Sequence, residues 1–277
     1  VPSSNAAILC SSTTHHPEEP NVLPLGSFEG RVAIVTGGGS GIGESIAREL
    51  ARLGAGVAVL GRRREQLETV AADIRSCGGS SAGYTADVRD RDRVQEVVDA
   101  VISRFGRIDH LINCAAGNFR IAPENMSPNA WQAVTGIVLD GTWNCTQIVG
   151  RELIERGGGS ILSIGTTMAE HGSATTVHSA SAKAGVRSMT KSLASAWGRY
   201  GIRVNLVTPG LTEDTAGASV LHTTPDARAE ALATIPVGRL ATREEVAQAA
   251  SYLLSDFAGY VTGAELVIDG GRCLGKF

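Results

Sequence analysis

The sequence predicts an α/β fold: a single domain built on a doubly wound parallel sheet with helices on both faces. Two observations carry this expectation. From Arg31 onward, short runs that are apolar throughout alternate with longer segments of helical periodicity. A strand with no polar face is buried on both sides, which a parallel sheet sandwiched between helices requires. Composition agrees, since 34 glycines against 4% aromatics suit a fold with many tight strand–helix turns. A chain of 277 residues, 43% of them hydrophobic, is long enough for one large core. No linker or internal repeat divides residues 27–277, which read as one domain.

The elements follow in order. Residues 32–35 (Val-Ala-Ile-Val) form the first strand, and residues 42–53 a helix stopped by Gly54. Residues 57–60 are the second strand, followed by a charged helix over about 64–76. Strands at 81–86 and 109–113 flank a helix at about 91–105. Residues 127–155 read as one long helix. Strands at 160–164, 203–207 and 265–268 complete the sheet, with helices at about 179–199 and 243–255. Right-handed crossovers put ligands at the carboxyl ends of such strands. The segment 213–236 is expected to form a substrate lid.

Residues 1–26 differ: Ser, Thr, Pro and His dominate, and the reading is a flexible arm. It lacks the basic start and apolar core of a secretory signal and is not Arg-rich like a transit peptide. Its His15-His16 pair reads as part of a solvated tail rather than a metal site. Cys10, Cys77, Cys114, Cys145 and Cys273 have no metal-type spacing and read as reduced thiols. No metal is expected. A net charge of −3 without a basic run argues against a nucleic-acid partner. No apolar run is long enough to span a membrane. The last residues, Gly275-Lys276-Phe277, do not match a peroxisomal address, so a cytoplasmic location is expected.

The chemistry begins at Thr36-Gly37-Gly38-Gly39-Ser40-Gly41-Ile42-Gly43, between the first strand and the first helix. Gly37, Gly41 and Gly43 let backbone N–H groups approach a pyrophosphate that side chains would obstruct. Gly39, Ser40 and Ile42 complete the loop, and the following helix points its positive end at the phosphates. At the end of the second strand, a carboxylate would accept the 2′-hydroxyl of NAD. Here Gly61-Arg62-Arg63-Arg64 stands instead. A cation suits the extra phosphate of NADP, and Arg62 is the residue read in that role. Arg63 or Arg64 reads as the solvated start of the next helix.

With Asn113-Cys114-Ala115-Ala116-Gly117, Lys183, Pro209-Gly210 and Asp269-Gly270-Gly271 added, the pattern resembles the short-chain dehydrogenase/reductases over residues 27–271. That resemblance implies a Rossmann-type domain that binds NAD(P)H and commonly a homotetramer. Ala115-Ala116-Gly117-Asn118-Phe119, Ser127-Pro128-Asn129-Ala130-Trp131, residues 137–142 and Ser179-Ala180-Ser181-Ala182-Lys183 resemble the 2,4-dienoyl-CoA reductases more narrowly. Those enzymes reduce conjugated dienoyl thioesters with NADPH. The resemblance implies that Gly37–Ile42 hold the pyrophosphate, Arg62 the 2′-phosphate, and Asp87 with Val88 the adenine. Asn113 and Ala115 lie by the adenosine ribose, Lys183 by the nicotinamide ribose, and Pro209, Gly210 and Thr212 by the carboxamide. Arg89, Phe119 and Ser127 match positions that contact the acyl-CoA. Read on their own, they are also a surface arginine, a core aromatic and a helix N-cap.

In most short-chain dehydrogenase/reductases a tyrosine stands four residues before the lysine and protonates the alkoxide. Here Ser179 holds that place, with Thr166 at the serine position and Val138 at the asparagine position. A serine hydroxyl is a far weaker acid than a phenol, which disfavours simple ketone reduction. Hydride addition to a conjugated thioester asks for less: a bound oxyanion and a proton from water. Ser179 and Thr166 read as hydroxyl donors for that oxyanion, and Lys183 as its cationic neighbour. The proton-donor positions of the dienoyl reductases are Met168 and Val138 here. Asp140 lies two residues from Val138, roughly 200° around a regular helix; it reaches the site only if the register differs. His171 and His178 are further titratable candidates. The leading expectation is an NADPH-dependent reductase of a CoA- or carrier-bound acyl thioester. The alternatives are a carbonyl or 3-oxoacyl reductase with a rebuilt proton relay through His178 or Asp140, and a nucleotide-binding scaffold or sensor.

Overall fold

The computed structural model describes residues 22–215 and 225–275. Outside it lie most of the expected arm (with His15, His16 and Cys10), residues 216–224 of the expected lid, and positions 276–277. Of the segment read as arm, residues 22–26 are described, and Leu23 packs into the core.

Seven strands form one parallel sheet: β1 (Val32–Thr36), β2 (Gly56–Gly61), β3 (Ser80–Thr85), β4 (His110–Asn113), β5 (Gly159–Ile164), β6 (Ile202–Pro209) and β7 (Glu265–Ile268). Their order is β3-β2-β1-β4-β5-β6-β7, so the chain reverses direction of travel between β1 and β4. Thr36 pairs with Leu60 on one side and Asn113 on the other. Strand side chains alternate between faces. Ala33 and Val35 join one core with Ile46, Ala47 and Leu50 of α1 (Gly41–Arg52), Leu67, Val70 and Ile74 of α2 (Arg64–Ser76), and α9 (Arg243–Leu254). Val32 and Ile34 join the other, with α3 (Arg91–Phe105) and α5 (Gly141–Arg156). The buried valines of α3, at positions 94, 97, 98 and 101, have the spacing of one helical face.

Helix ends are chemically marked. The Asp90 carboxylate accepts from the Arg93 backbone N–H at 3.0 Å, and α3 ends at Gly106 with φ 78°. Thr242 and Glu245 form a reciprocal capping box at the start of α9. The remaining α-helices among the described residues are α6 (Met168–His171), α7 (Val177–Trp197) and α8 (Pro225–Leu232). Among the described residues no helix is long and apolar enough to cross a membrane.

The segment expected to be one long helix departs from regular geometry. It runs as α4 (Pro128–Thr135), a π-helical turn (Gly136–Asp140) and α5. The Gly141 N–H reaches back to the Gly136 carbonyl, five residues earlier. The turn coincides with close packing: a Cβ on Gly141 would lie 2.4 Å from Cγ2 of Val88. Even with the altered register Asp140 is exposed, while Val138 is fully buried against Val134 and Ala182.

Candidate active site

A crevice of about 490 Å³ opens at the carboxyl ends of the strands, where the sheet order reverses. One end is lined by Gly37, Gly39, Ser40, Gly41, Ile42, Arg62 and Arg63. Its middle is lined by Asp87, Val88, Ala115 and Ile137, and its far end by Thr166, Ser179, Lys183, Pro209, Gly210 and Thr212. Fifteen scattered expectations of the sequence, from Gly37 to Thr212, thus converge on one cavity.

The floor is built from strand ends. Thr36, the last residue of β1, is buried; its Oγ1 accepts the backbone N–H groups of Cys114 and Ala115, each at 3.1 Å, and donates to the Ile112 carbonyl at 3.3 Å. These bonds bring the glycine loop against the segment after β4. A Cβ on Gly43 would meet the Gly37 carbonyl oxygen at 2.4 Å, so the loop can fold onto the first turn of α1 only with glycine there. Gly43 lies behind the loop and does not line the crevice.

Arg62 faces the crevice as expected, and Arg63 does too. Its Nη2 donates to Ser40 Oγ at 2.9 Å. From the sequence, Arg63 or Arg64 reads as the solvated helix start, and Arg63 is not solvent-directed in that way. It is the residue before α2, and the signal that distinguishes it is its place opposite Ser40, visible only once β1 and β2 are paired. Asp87 is held by Arg89 through Nε–Oδ1 (3.0 Å) and Nη2–Oδ2 (2.7 Å), and by the Arg89 backbone N–H at 3.0 Å. Arg89's hydrogen bonds, with a contribution from Arg62, keep the Asp87 carboxyl below the usual carboxylate range. Two residues expected to meet different ligands therefore pair with each other.

Asn113 is buried below the crevice without lining it. Its Nδ2 donates to Thr146 Oγ1 at 2.8 Å, and its Oδ1 has no protein partner. Ser127 lies outside the crevice and caps α4, its hydroxyl accepting the Ala130 N–H at 3.1 Å. Phe119 is 41% exposed and stands edge-on to the His178 ring, with centroids 4.7 Å apart.

At the far end, Ser179 and Lys183 lie one turn apart on α7, and both line the crevice beside Thr166. Lys183 is buried, and its Nζ donates to the Ile164 carbonyl at the end of β5. Burial pushes its pKa below the ordinary lysine value, with Cys114 opposing the shift. Burial raises the Cys114 thiol to about 11, so it stays protonated at neutral pH. Met168 is on the exposed side of α6, with Thr176 Oγ1 3.6 Å from its sulfur. His171 and Asp140 are exposed and outside the crevice. Of the two residues named for a rebuilt proton relay, Asp140 therefore lies away from the crevice, whereas His178 is buried.

The crevice fits a dinucleotide: a glycine-rich loop at a helix N-terminus, two arginines at one end, and a lysine among hydroxyl side chains at the other. A family model described as enoyl-(acyl carrier protein) reductase matches residues 37–272. A Bacillus subtilis protein named "Probable 2,4-dienoyl-CoA reductase", (2E)-enoyl-CoA-producing, is 43% identical, covering 90% of this chain and 99% of its own. Among solved structures, a short chain dehydrogenase from Bacillus anthracis is 41% identical with a TM-score of 0.82, covering 90% of this chain and 98% of its own. A gluconate 5-dehydrogenase from Burkholderia cenocepacia, solved with NADP and tartrate, is 33% identical with a TM-score of 0.85, covering 90% and 97%.

Proposed function

The chain belongs to the short-chain dehydrogenase/reductase family, and on that premise we propose that it is an NADPH-dependent reductase of conjugated acyl thioesters, of the 2,4-dienoyl or enoyl type, carried on CoA or a carrier protein. One observation carries the choice of substrate. At the reactive end of the crevice the aliphatic hydroxyls of Ser179 and Thr166 accompany Lys183, the hydroxyl of Thr212 there is turned to the Gly210 carbonyl at 3.3 Å, and no phenol is found among the described lining residues. Aliphatic hydroxyls are poor general acids but serviceable hydrogen-bond donors. That set suits a reaction whose negative charge delocalises onto a thioester oxygen and whose proton comes from water at carbon. The dienoyl-CoA reductase name of the Bacillus subtilis relative supports the same reading.

In this reading the glycine loop takes the pyrophosphate, and Arg62 with Arg63 takes the 2′-phosphate. Asp87 and Val88 flank the adenine; Asn113 and Ala115 back the adenosine ribose. When bound, the reduced nicotinamide supplies the hydride. Lys183, anchored to the Ile164 carbonyl, holds the nicotinamide ribose hydroxyls and adds positive charge near the oxyanion. Pro209, Gly210 and Thr212 bound the carboxamide. Arg89, Phe119 and Ser127 are assigned to the acyl-thioester side, where Arg89, bonded to Asp87 through Nε and Nη2, would meet a phosphate. Ser179 and Thr166 donate to the thioester oxygen as charge develops on it. The reading takes the protein as one NADP-binding domain, homotetrameric and cytoplasmic.

The test is NADPH oxidation by the purified protein with 2,4-dienoyl-CoA and 2-enoyl-CoA esters beside a panel of simple ketones and 3-oxoacyl thioesters. Turnover of a conjugated thioester with little ketone activity is expected. A good ketone substrate, with every conjugated thioester inert, overturns the proposal.

A further inference from the structure

His178 is the second residue of α7, immediately before Ser179, and its side chain is wholly buried. The first N–H groups of a helix have no intrahelical acceptor. Here the imidazole supplies one: Nδ1 accepts the Ser179 backbone N–H at 2.8 Å. A ring nitrogen that accepts carries no proton, so the hydrogen of the neutral ring lies on Nε2. Nε2 has less than 1 Å² exposed, and among the described residues no acceptor meets it. A buried N–H donor without an acceptor is uncommon and calls for an explanation.

The surroundings provide one. The His178 ring packs edge-to-face with Phe119, which is 41% exposed. The sequence neighbours of the two rings, Ser179 and Asn118, both line the crevice. Neither ring lines the crevice itself; the unmatched donor lies one residue from it along the chain, with the exposed Phe119 ring packed against the imidazole.

We propose that His178 is a catalytic residue whose Nε2–H donates to the substrate's thioester oxygen once the acyl group has displaced the Phe119 ring. The proposal rests on the reductase reading above. As hydride from NADPH adds to C5 of the diene, the C4–C5 π pair moves to C3–C4 and the C2–C3 pair moves to C1–C2. The carbonyl π pair moves onto oxygen. His178 holds that oxyanion together with Ser179 and Thr166 and keeps its own proton throughout. Water then protonates the dienolate at carbon, the carbonyl re-forms, and the product carries one double bond fewer.

The test compares His178→Phe, which keeps a ring but removes the donor, with His178→Gln, whose amide nitrogen reaches close to the position of Nε2. With a dienoyl-CoA substrate, kcat of His178→Phe is expected to fall roughly 100-fold, as for loss of an oxyanion donor. His178→Gln is expected to recover most of that loss, and the Kd for NADPH to stay unchanged in both. Equal losses in the two variants would mark His178 as a helix cap alone and overturn the proposal, as would an undiminished His178→Phe. If His178→Phe does not fold, nitrogen NMR of histidine-labelled wild type decides. A proton on Nε2 that shifts downfield with a non-reducible acyl-CoA supports the proposal; a proton on Nδ1, or no shift, overturns it. Wild type inert toward every conjugated thioester would instead sink the substrate reading and this inference with it.

Discussion

Acid should destabilise this protein through, among other groups, a buried ring at the amino ends of the strands, away from the crevice. His110 opens β4 and is 5% exposed. Ser160 Oγ donates to the Leu254 carbonyl at 3.3 Å, so His110 Nδ1, 2.7 Å from the same hydroxyl, is the donor of that pair. Phe28 lies edge-on at 5.3 Å, and Nε2 has no partner. Burial pushes the His110 pKa from 6.5 down to about 3; Asp109 opposes the shift, and Arg31, Arg203 and Arg107 reinforce it. The folded pKa thus lies below the unfolded one. Below about pH 6.5 the unfolded chain takes up a proton that the folded chain refuses. The stability in question is full above that pH and drains away as pH falls toward 3. At pH 5, roughly 1.5 units below the unfolded value, the loss is about 2 kcal/mol.

The measurement is urea unfolding of wild type and His110→Asn at about pH 7.5 and about pH 5, above the range in which most carboxylates titrate. Asn keeps an N–H near the Nδ1 position but does not titrate. Whatever it costs at neutral pH, its stability should change less with pH. Wild type is expected to lose about 2 kcal/mol more than the variant over this interval. Parallel pH dependences would refute the argument, because they would mean that the ring charges as readily when folded as when unfolded.

Two further outcomes follow from the crevice. Replacing Arg62 with Ala should weaken NADPH about ten- to a hundredfold, the worth of one or two charge-assisted hydrogen bonds, and leave NADH nearly unchanged. Arg63→Ala should show the same bias more weakly, since Arg63 also ties to Ser40; calorimetric titration with both nucleotides measures each. Gly43→Ala places a methyl 2.4 Å from the Gly37 oxygen and should cost about 1–3 kcal/mol in stability while displacing the loop. Unchanged unfolding and unchanged nucleotide affinity in that variant would contradict the packing described here.

β1 and β2 were legible because each is a contiguous apolar run buried on both faces, and β7, only partly buried, still falls where the sequence placed it. The helices at 64–76 and 91–105 also match their expected spans, since their charged faces and valine or leucine stripes are local patterns. The glycine loop was legible for a steric reason that needs only neighbouring residues. The π turn at 136–140 was not, because helical periodicity averages over several turns and conceals one extra residue. Nor was the pairing of Arg89 with Asp87: spacing alone does not say whether an arginine meets a ligand or a neighbour.

From the sequence alone came the layered fold, the nucleotide loop, the absence of a tyrosine before Lys183 and the family resemblance. All are properties of short segments, governed by backbone geometry and side-chain chemistry within a few residues. Tertiary structure decided which of the spare groups face the crevice. Asp140 and His171 are exposed outside it, Arg63 turns into it, and His178, next to Ser179, is buried with one nitrogen engaged and the other unmatched. These placements depend on contacts between segments far apart in the chain, such as Phe119 with His178 and Gly141 with Val88. Burial and partnering arise only when such segments pack, and they determine which polar groups are free to meet a substrate.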